Sequence, residues 1–317
     1  MPATLGTFEV GAAGRGDPAG AARARLDTAM AEVGACYVRD PALSPALLAG
    51  FAEATAAFFR QPAGDKLALS ARGPGTFGYR PAGSGAYAAA AGTVAASRDR
   101  CELFKVGAGT PGDSGGDGAA GGPAGWGAAA PAMRSAWLAA YAAFEQTAAA
   151  AADLLAAAAG PADPGVARWM GGHASNLAVN WYPGDDAEPS EPSGPSQPSD
   201  EGGLRGAHTD FGPFTLLHHP GGVDGLDIEV DGHWVAAPPR PGHLILLLGD
   251  LLPFATGRRW RAPRHRVSAP SASGERMSVV FFVFPDPTTI VTPAGGGPAE
   301  AVAAGAFVAE RLDRVYT

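Results

Sequence analysis

The ten residues HTDFGPFTLL, His208 to Leu217, decide how the rest of this chain is read. The apolar run FTLL predicts a strand. On a strand, residues i and i+2 point to the same face. His208 and Asp210 would therefore aim into one space, with Thr209 turned away. An imidazole and a carboxylate suit a divalent metal, but two ligands do not hold one. From this stretch alone the pair is either half of a metal site or two polar residues at a strand edge.

A third ligand has to come from elsewhere. His173 precedes the strand-rich region, His218 and His219 follow the FTLL strand, and His233 and His243 sit at turns. His265, in APRHRVSAP on a late strand, is the best placed. Two histidines and one carboxylate on one face leave coordination positions open, the pattern of the facial triad in non-haem Fe(II) oxygenases. Further on comes Arg276-x-Ser278, in ERMSVVFFVFP. Arginine offers a planar fork that grips a carboxylate through two hydrogen bonds, and serine adds a third. Val279 to Phe284 are apolar at both parities, which predicts a strand buried on both faces. A charged arginine entering such a strand requires an anionic partner.

Outward from these motifs, TLLHH, LDIEV, HWVAA, HLILLLG, APRHRVSA and MSVVFFVF read as closely spaced strands separated by turns such as Asp231-Gly232 and Pro241-Gly242. LAVNWYP, 177–183, is a strand before them. Helical spacing predicts helices over 19–35, 44–60 (Ser44 as N-cap, Pro45 at the first position) and 131–159, the last with Met133, Trp137, Tyr141 and Phe144 on one stripe. Cys36, in GACYV, is read as a core residue. The Gly-rich 107–128 and the acidic, Pro/Ser-rich 185–203 are read as loops, the second as a lid or a disordered insertion. Helices lead and strands follow, so the class is mostly β with flanking helices, a β-sandwich or double-sheet barrel.

Composition narrows the function. A net charge of -8 argues against nucleic acid, because phosphate binding needs clustered Lys and Arg. Two cysteines, Cys36 and Cys101, imply no disulfide framework, and a reducing cytoplasm is expected. No signal-peptide pattern stands at residues 1–18, and the Ala-rich stretch near Asp153 is too short to span a bilayer, so no membrane partner is expected.

Taken in order, HTDFGPFTLL, LGDLLPFATG, PRHRVSAP and ERMSVVFFVFP resemble the isopenicillin N synthase-like branch of the Fe(II)/2-oxoglutarate-dependent dioxygenases. NWYP, FGYRP and CELFKVG resemble landmarks upstream in that family. The resemblance implies a double-stranded β-helix (jelly-roll) core with an N-terminal helical region. It implies one oxygenase domain over 1–317: a mainly helical 1–170, a jelly roll with the metal site over 171–290, and a C-terminal segment over 291–317. It implies Fe(II) at His208, Asp210 and His265. It implies 2-oxoglutarate at Arg276 and Ser278, with Tyr182 and Asn180 lining its pocket, and O2 as co-reactant. Phe284, which shares the parity of Ser278, and Tyr79 and Arg80 are candidates to contact a small-molecule substrate.

The implied activity is hydroxylation, desaturation or ring formation coupled to decarboxylation of 2-oxoglutarate to succinate. A secondary-metabolite substrate is expected, and the segment VSAPSASGERMSVVFF also resembles bacterial cephalosporin ring-expanding members. Two other readings stay open. In a 2-oxoglutarate-independent oxidase or cyclase the R-x-S pair holds the substrate's own carboxylate. In a non-catalytic ligand-binding protein the scaffold is kept without the chemistry.

Overall fold

The computed structural model describes residues 5–10, 19–41, 43–70, 77–84, 100–107, 131–184, 204–268 and 274–316. The stretches 108–128 and 185–203, both expected to be loops, lie outside the described residues.

Strands are β1 (Thr7–Glu9), β2 (Ala35–Arg39), β3 (Gly78–Arg80), β4 (Glu102–Gly107), β5 (Asn176–Tyr182), β6 (Arg205–His208), β7 (Phe214–His218), β8 (Leu226–Val230), β9 (His233–Ala236), β10 (Leu244–Leu248), β11 (His265–Val267), β12 (Arg276–Phe282), β13 (Ile290–Val291) and β14 (Val302–Ala303). Helices are α1 (Ala19–Glu32), α2 (Pro45–Phe59), α3 (Ala63–Leu67), α4 (Pro131–Ala159), α5 (Leu251–Ala255) and α6 (Ala304–Tyr316). A large sheet runs β1-β2-β10-β7-β12-β5-β4-β3, and a smaller one runs β6-β11-β8-β9. The two sheets face each other as a jelly roll. The four strands from the first third of the chain extend the large sheet at both edges, so the leading region contributes more strand than its helical periodicity predicts.

Alternation along the strands of the large sheet divides the core in two. Leu244, Leu246 and Leu248 of β10, Phe214 and Leu216 of β7, and Val279 and Phe281 of β12 face the helices. Ile245, Leu247, Leu217 and Val280 face the smaller sheet, against Leu226, Ile228 and Val230 of β8. A strand covered on both sides reads as an unbroken apolar run, which is why LILLL and MSVVFF carry no polar alternation.

Helix α4 supplies most of the outer layer. Met133, Trp137, Ala140, Phe144, Ala148 and Ala151 form its buried stripe, and the alanines let the helix lie close. The Trp137 ring packs edge-on against Phe51 and Phe104, each at 5.1 Å, and Phe144 stacks on Phe281 at 6.0 Å. Truncating one of these rings to alanine costs about 3–5 kcal/mol. Helix α2 starts as its sequence predicts, with the Ser44 hydroxyl accepting from the Leu47 N–H. Helix α1 stops at Glu32, because Gly34 takes a left-handed φ of 78° and returns its N–H to Ala29. A Cβ there would strike the Arg261 carbonyl. Cys36 is fully buried, and burial pushes its thiol far up in pKa, so it packs as an apolar residue. Among the described residues no helix is long and apolar enough to cross a membrane.

Candidate metal centre

The smaller sheet brings His208 and His265 side by side. They are register partners across β6 and β11, with ring centroids 4.3 Å apart. Asp210 stands in the turn after β6, its Oδ1 4.0 Å from His208 Nε2 and 3.8 Å from His265 Nε2. Ligand atoms of all three lie within 4.8 Å of one another, and all three residues are buried. Each ring's Nδ1 faces a main-chain carbonyl two residues back in sequence, Gly206 O at 2.8 Å and Pro263 O at 3.3 Å. An N–H donated there places the proton on Nδ1 and turns the Nε2 lone pair inward, as a metal-binding imidazole requires. Bonds of about 2.1 Å reach donors up to about 4.2 Å apart, so the Nε2–Oδ1 separations fit one divalent ion with an open face. Burial, then the neighbouring His265 and Arg205, hold His208 well below the ordinary histidine pKa, which favours the neutral ligand form.

The opposite wall is built from two paired strands. Arg276 lies across from Tyr182 and Ser278 across from Asn180, so the R-x-S and N-x-Y motifs meet on one face of β12 and β5. All four are buried, Arg276 to 1% exposure. Its guanidinium is held on several sides: Nε donates to Asp224 O (2.8 Å), Nη1 to Ser278 Oγ (2.7 Å) and Nη2 to His219 Nε2 (3.2 Å), with the Tyr182 ring 5.0 Å away. A guanidinium has five N–H donors in a fixed fork, so donors remain for a carboxylate. Burial, then the Arg276 charge, pushes His219 well below its ordinary pKa, which keeps its Nε2 an acceptor.

One cavity joins the two walls. It is lined by Asn180, Tyr182, Ser278 and His219 on one side and by His208, Asp210, His265 and Arg205 on the other. Val280 and Phe282 continue the parity of Ser278 into it. The substrate candidates lie elsewhere. Phe284 is beyond the end of β12, stacked toward Phe282 at 6.3 Å, with its ring 3.1 Å from where a Cβ on Gly212 would lie. Tyr79 donates to Glu102 at 2.6 Å in the N-terminal core, and Arg80 sits beside it on β3. None of the three is among the residues described as lining the cavity. His219 and Arg205, which sequence reasoning did not single out, are.

Two family models match this chain. Residues 175–285 match the 2OG-Fe(II) oxygenase superfamily, and residues 10–129 match the N-terminal region of the non-haem dioxygenases in morphine synthesis. Among curated proteins, the validamycin A dioxygenase of Streptomyces hygroscopicus subsp. limoneus is 44% identical over 130 residues, covering 38% of this chain and 33% of that protein. A probable 1-aminocyclopropane-1-carboxylate oxidase of Dianthus caryophyllus is 40% identical over 92 residues, covering 29% and 28%. The matched segments thus span about a third or less of these relatives' lengths. The fold is that of Neurospora crassa T7H in complex with alpha-KG and 5-formyluracil (TM-score 0.76, 17% identity, 97% of this chain and 95% of that one). It is also that of the rice dioxygenase for auxin oxidation (TM-score 0.71, 21% identity, 98% and 95%).

Proposed function

This chain belongs to the 2OG-Fe(II) oxygenase superfamily, and from that premise we propose that it is an Fe(II)- and 2-oxoglutarate-dependent oxygenase of a small molecule. The observation that carries the reading is that a buried His-Asp-His set and a buried Arg-Ser pair share one cavity. Neither half alone specifies the chemistry. Together they match a metal chelated by one end of a dicarboxylate whose other end is anchored.

His208, Asp210 and His265 are the residues that would hold Fe(II), and Arg276 with Ser278 would take the far carboxylate of 2-oxoglutarate. When bound, the iron and 2-oxoglutarate supply the oxidising power for attack on a C–H bond, with O2 consumed and 2-oxoglutarate decarboxylated to succinate. The protein's share is placement. Both imidazoles keep their proton at Nδ1, on the Gly206 and Pro263 carbonyls, so that Nε2 is free for metal. The Arg276 fork is fixed before ligand arrives, by Asp224, Ser278 and His219, so little side-chain entropy is lost on binding. Apolar Leu217, Leu226, Val267 and Val280 keep water from the space between. The likeness to the validamycin A dioxygenase supports a secondary-metabolite substrate, antibiotic biosynthesis included. A cytoplasmic setting accords with two buried cysteines that stand as thiols.

The oxidases among the relatives favour one second reading, in which Arg276 and Ser278 hold the substrate's own carboxylate and no 2-oxoglutarate is used. One titration separates the two. Adding 2-oxoglutarate to anaerobic, Fe(II)-loaded protein is expected to produce the visible charge-transfer band of a chelated keto acid. Iron binding without the band would sink the 2-oxoglutarate reading and leave the oxidase.

A further inference from the structure

Strand β12 carries the cavity wall well past the cosubstrate anchor. Arg276 stands at its start, and Ser278, Val280 and Phe282 follow on one face and line the cavity. From Arg276 to Phe282 that face runs about 20 Å. The metal segment lies against its far end: a Cβ on Gly212, two residues after Asp210, would overlap the Val283 carbonyl oxygen and meet the Phe284 ring. A cosubstrate stretched from Arg276 to the metal therefore leaves the Phe282 end of the wall for the molecule to be oxidised.

Asn176 stands at that end. It pairs with Phe282 on one side and with Gly107 on the other, and residues directly paired across strands share a face. The Phe77 ring fills the place of the side chain that Gly107 lacks: a Cβ on Gly107 would overlap that ring and lie 3.1 Å from the Asn176 Cβ. Asn176, only 7% exposed, is thus flanked by two half-buried aromatic rings. The backbone beside it is pinned. Ser175 Oγ accepts from Phe284 N–H (3.2 Å), Ala174 N–H donates to Phe284 O (2.9 Å), and the Tyr141 hydroxyl donates to Ser175 O (2.9 Å). Yet Asn176 Oδ1 is buried, and none of the described residues donates to it. A buried acceptor without a donor is costly, and each such group calls for a partner.

We infer that Asn176 Oδ1 accepts a hydrogen bond from the primary substrate, and that this substrate is a small ring compound bearing an uncharged O–H or N–H. The rings of Phe282 and Phe77 favour a flat, apolar body against them. The donor is uncharged because a neutral amide among aromatic rings does not compensate a buried cation. The inference rests on the cosubstrate assignment above, which sets the end of the wall left to the substrate.

The test begins with anaerobic, Fe(II)-loaded protein, in which the charge-transfer band shows that 2-oxoglutarate is held. Matched ring probes follow, each beside its methylated form: phenol with anisole, indole with 1-methylindole, and 2-piperidone with 1-methyl-2-piperidone. Mn(II) in place of Fe(II) broadens the proton NMR lines of a probe that enters beside the metal, independently of turnover. At least one donor probe is expected to bind about tenfold or more tightly than its methylated form, the scale of one buried polar group left unpaired. Asn176→Leu is expected to erase that preference. The band is read in the variant too, and Asn176→Ala replaces Asn176→Leu if the leucine protein does not form it. A preference that survives loss of the amide reflects the bulk of the methyl group alone and overturns the inference. So does a wild type in which no donor probe is favoured. If the wild type forms no band, the cosubstrate assignment itself has failed, a result read before any probe is added.

Discussion

Placing a methyl group on Gly249 tests whether the metal-binding turn is held by steric fit. Gly249 follows β10, and the turn it opens docks on the segment that carries Asp210. Gly249 N–H donates to Pro213 O (3.0 Å), Asp250 N–H to Asp210 O (2.8 Å) and Leu251 N–H to Gly212 O (3.2 Å). A Cβ on Gly249 would overlap the Gly212 carbonyl oxygen and lie 3.0 Å from Asp210 O and 3.1 Å from Asp210 C. Ordinary contact begins near 3.5 Å, so the Asp210–Gly212 backbone must retreat by about half an ångström or more. That equals the tolerance of a working constellation, about 0.5 Å. Gly249→Ala is therefore expected to cost about 1–3 kcal/mol as overpacking and to weaken metal binding about 10–100-fold, the range for disturbed supports of metal ligands. Anaerobic calorimetry with Fe(II) and thermal melting by circular dichroism read the two effects. Gly50→Ala in α2 is the control, since a Cβ there meets nothing within 4 Å and alanine gains about 0.5–1 kcal/mol in a helix. Gly249→Ala with wild-type metal affinity and an unchanged Tm would refute the reasoning.

Arg276→Leu is expected to weaken 2-oxoglutarate by about 2–5 kcal/mol with iron affinity retained; calorimetry showing equal cosubstrate affinity would remove Arg276 from that role. His219→Leu strips an acceptor from the buried Arg276 fork, at about 1–3 kcal/mol for a donor left unsatisfied, and should loosen 2-oxoglutarate by about tenfold or more. His219→Gln, which keeps an acceptor, should recover most of that, and equal loss in both variants would contradict the positioning role. Burial lowers the His218 pKa to about 4, below its unfolded value near 6.5. The unfolded chain therefore binds the proton first, and stability present above pH 6.5 is lost as pH falls toward 4. Between pH 7.5 and 5 urea unfolding should show His218→Gln losing about 2 kcal/mol less than the wild type; parallel losses would show that His218 does not titrate as a buried neutral group.

What could be read from the residues followed the regular periods. Helix α4 was legible from Met133, Trp137 and Phe144, and β12 from apolar residues at both parities. The i, i+2 rule paired Arg276 with Ser278, while Asn180 and Tyr182 across the sheet came only from the family resemblance of NWYP. The same rule failed where the backbone leaves the period. Phe284 has the right parity, but β12 ends at Phe282, and beyond it the face is no longer defined. Arg205 has the wrong parity until a β-bulge is counted, where His265 pairs with His208 but Val267 with Arg205; the small Gly206-Ala207 step before His208 was the one local sign of it. His219 sits just past the end of β7, where the chain turns, and no pattern in HHPGG announces which histidine enters the cavity. Strand β1 is three residues long and exists through its parallel pairing with β2, a tertiary fact with no local signature.

The order of the large sheet also governs when this protein is able to fold. Cys36 in β2 pairs with Leu246 in β10, and Val179 in β5 with Val279 in β12. Strands made early by the ribosome must wait for partners made late. Until β10 emerges, β2 has an open inner edge, and until β12 emerges, β5 and β7 lack the strand that stands between them. Contacts this distant along the chain make folding slow and leave sticky strands uncovered in the meantime. Aggregation during synthesis is then an expected hazard to yield, and added chaperone in an expression host should raise recovery.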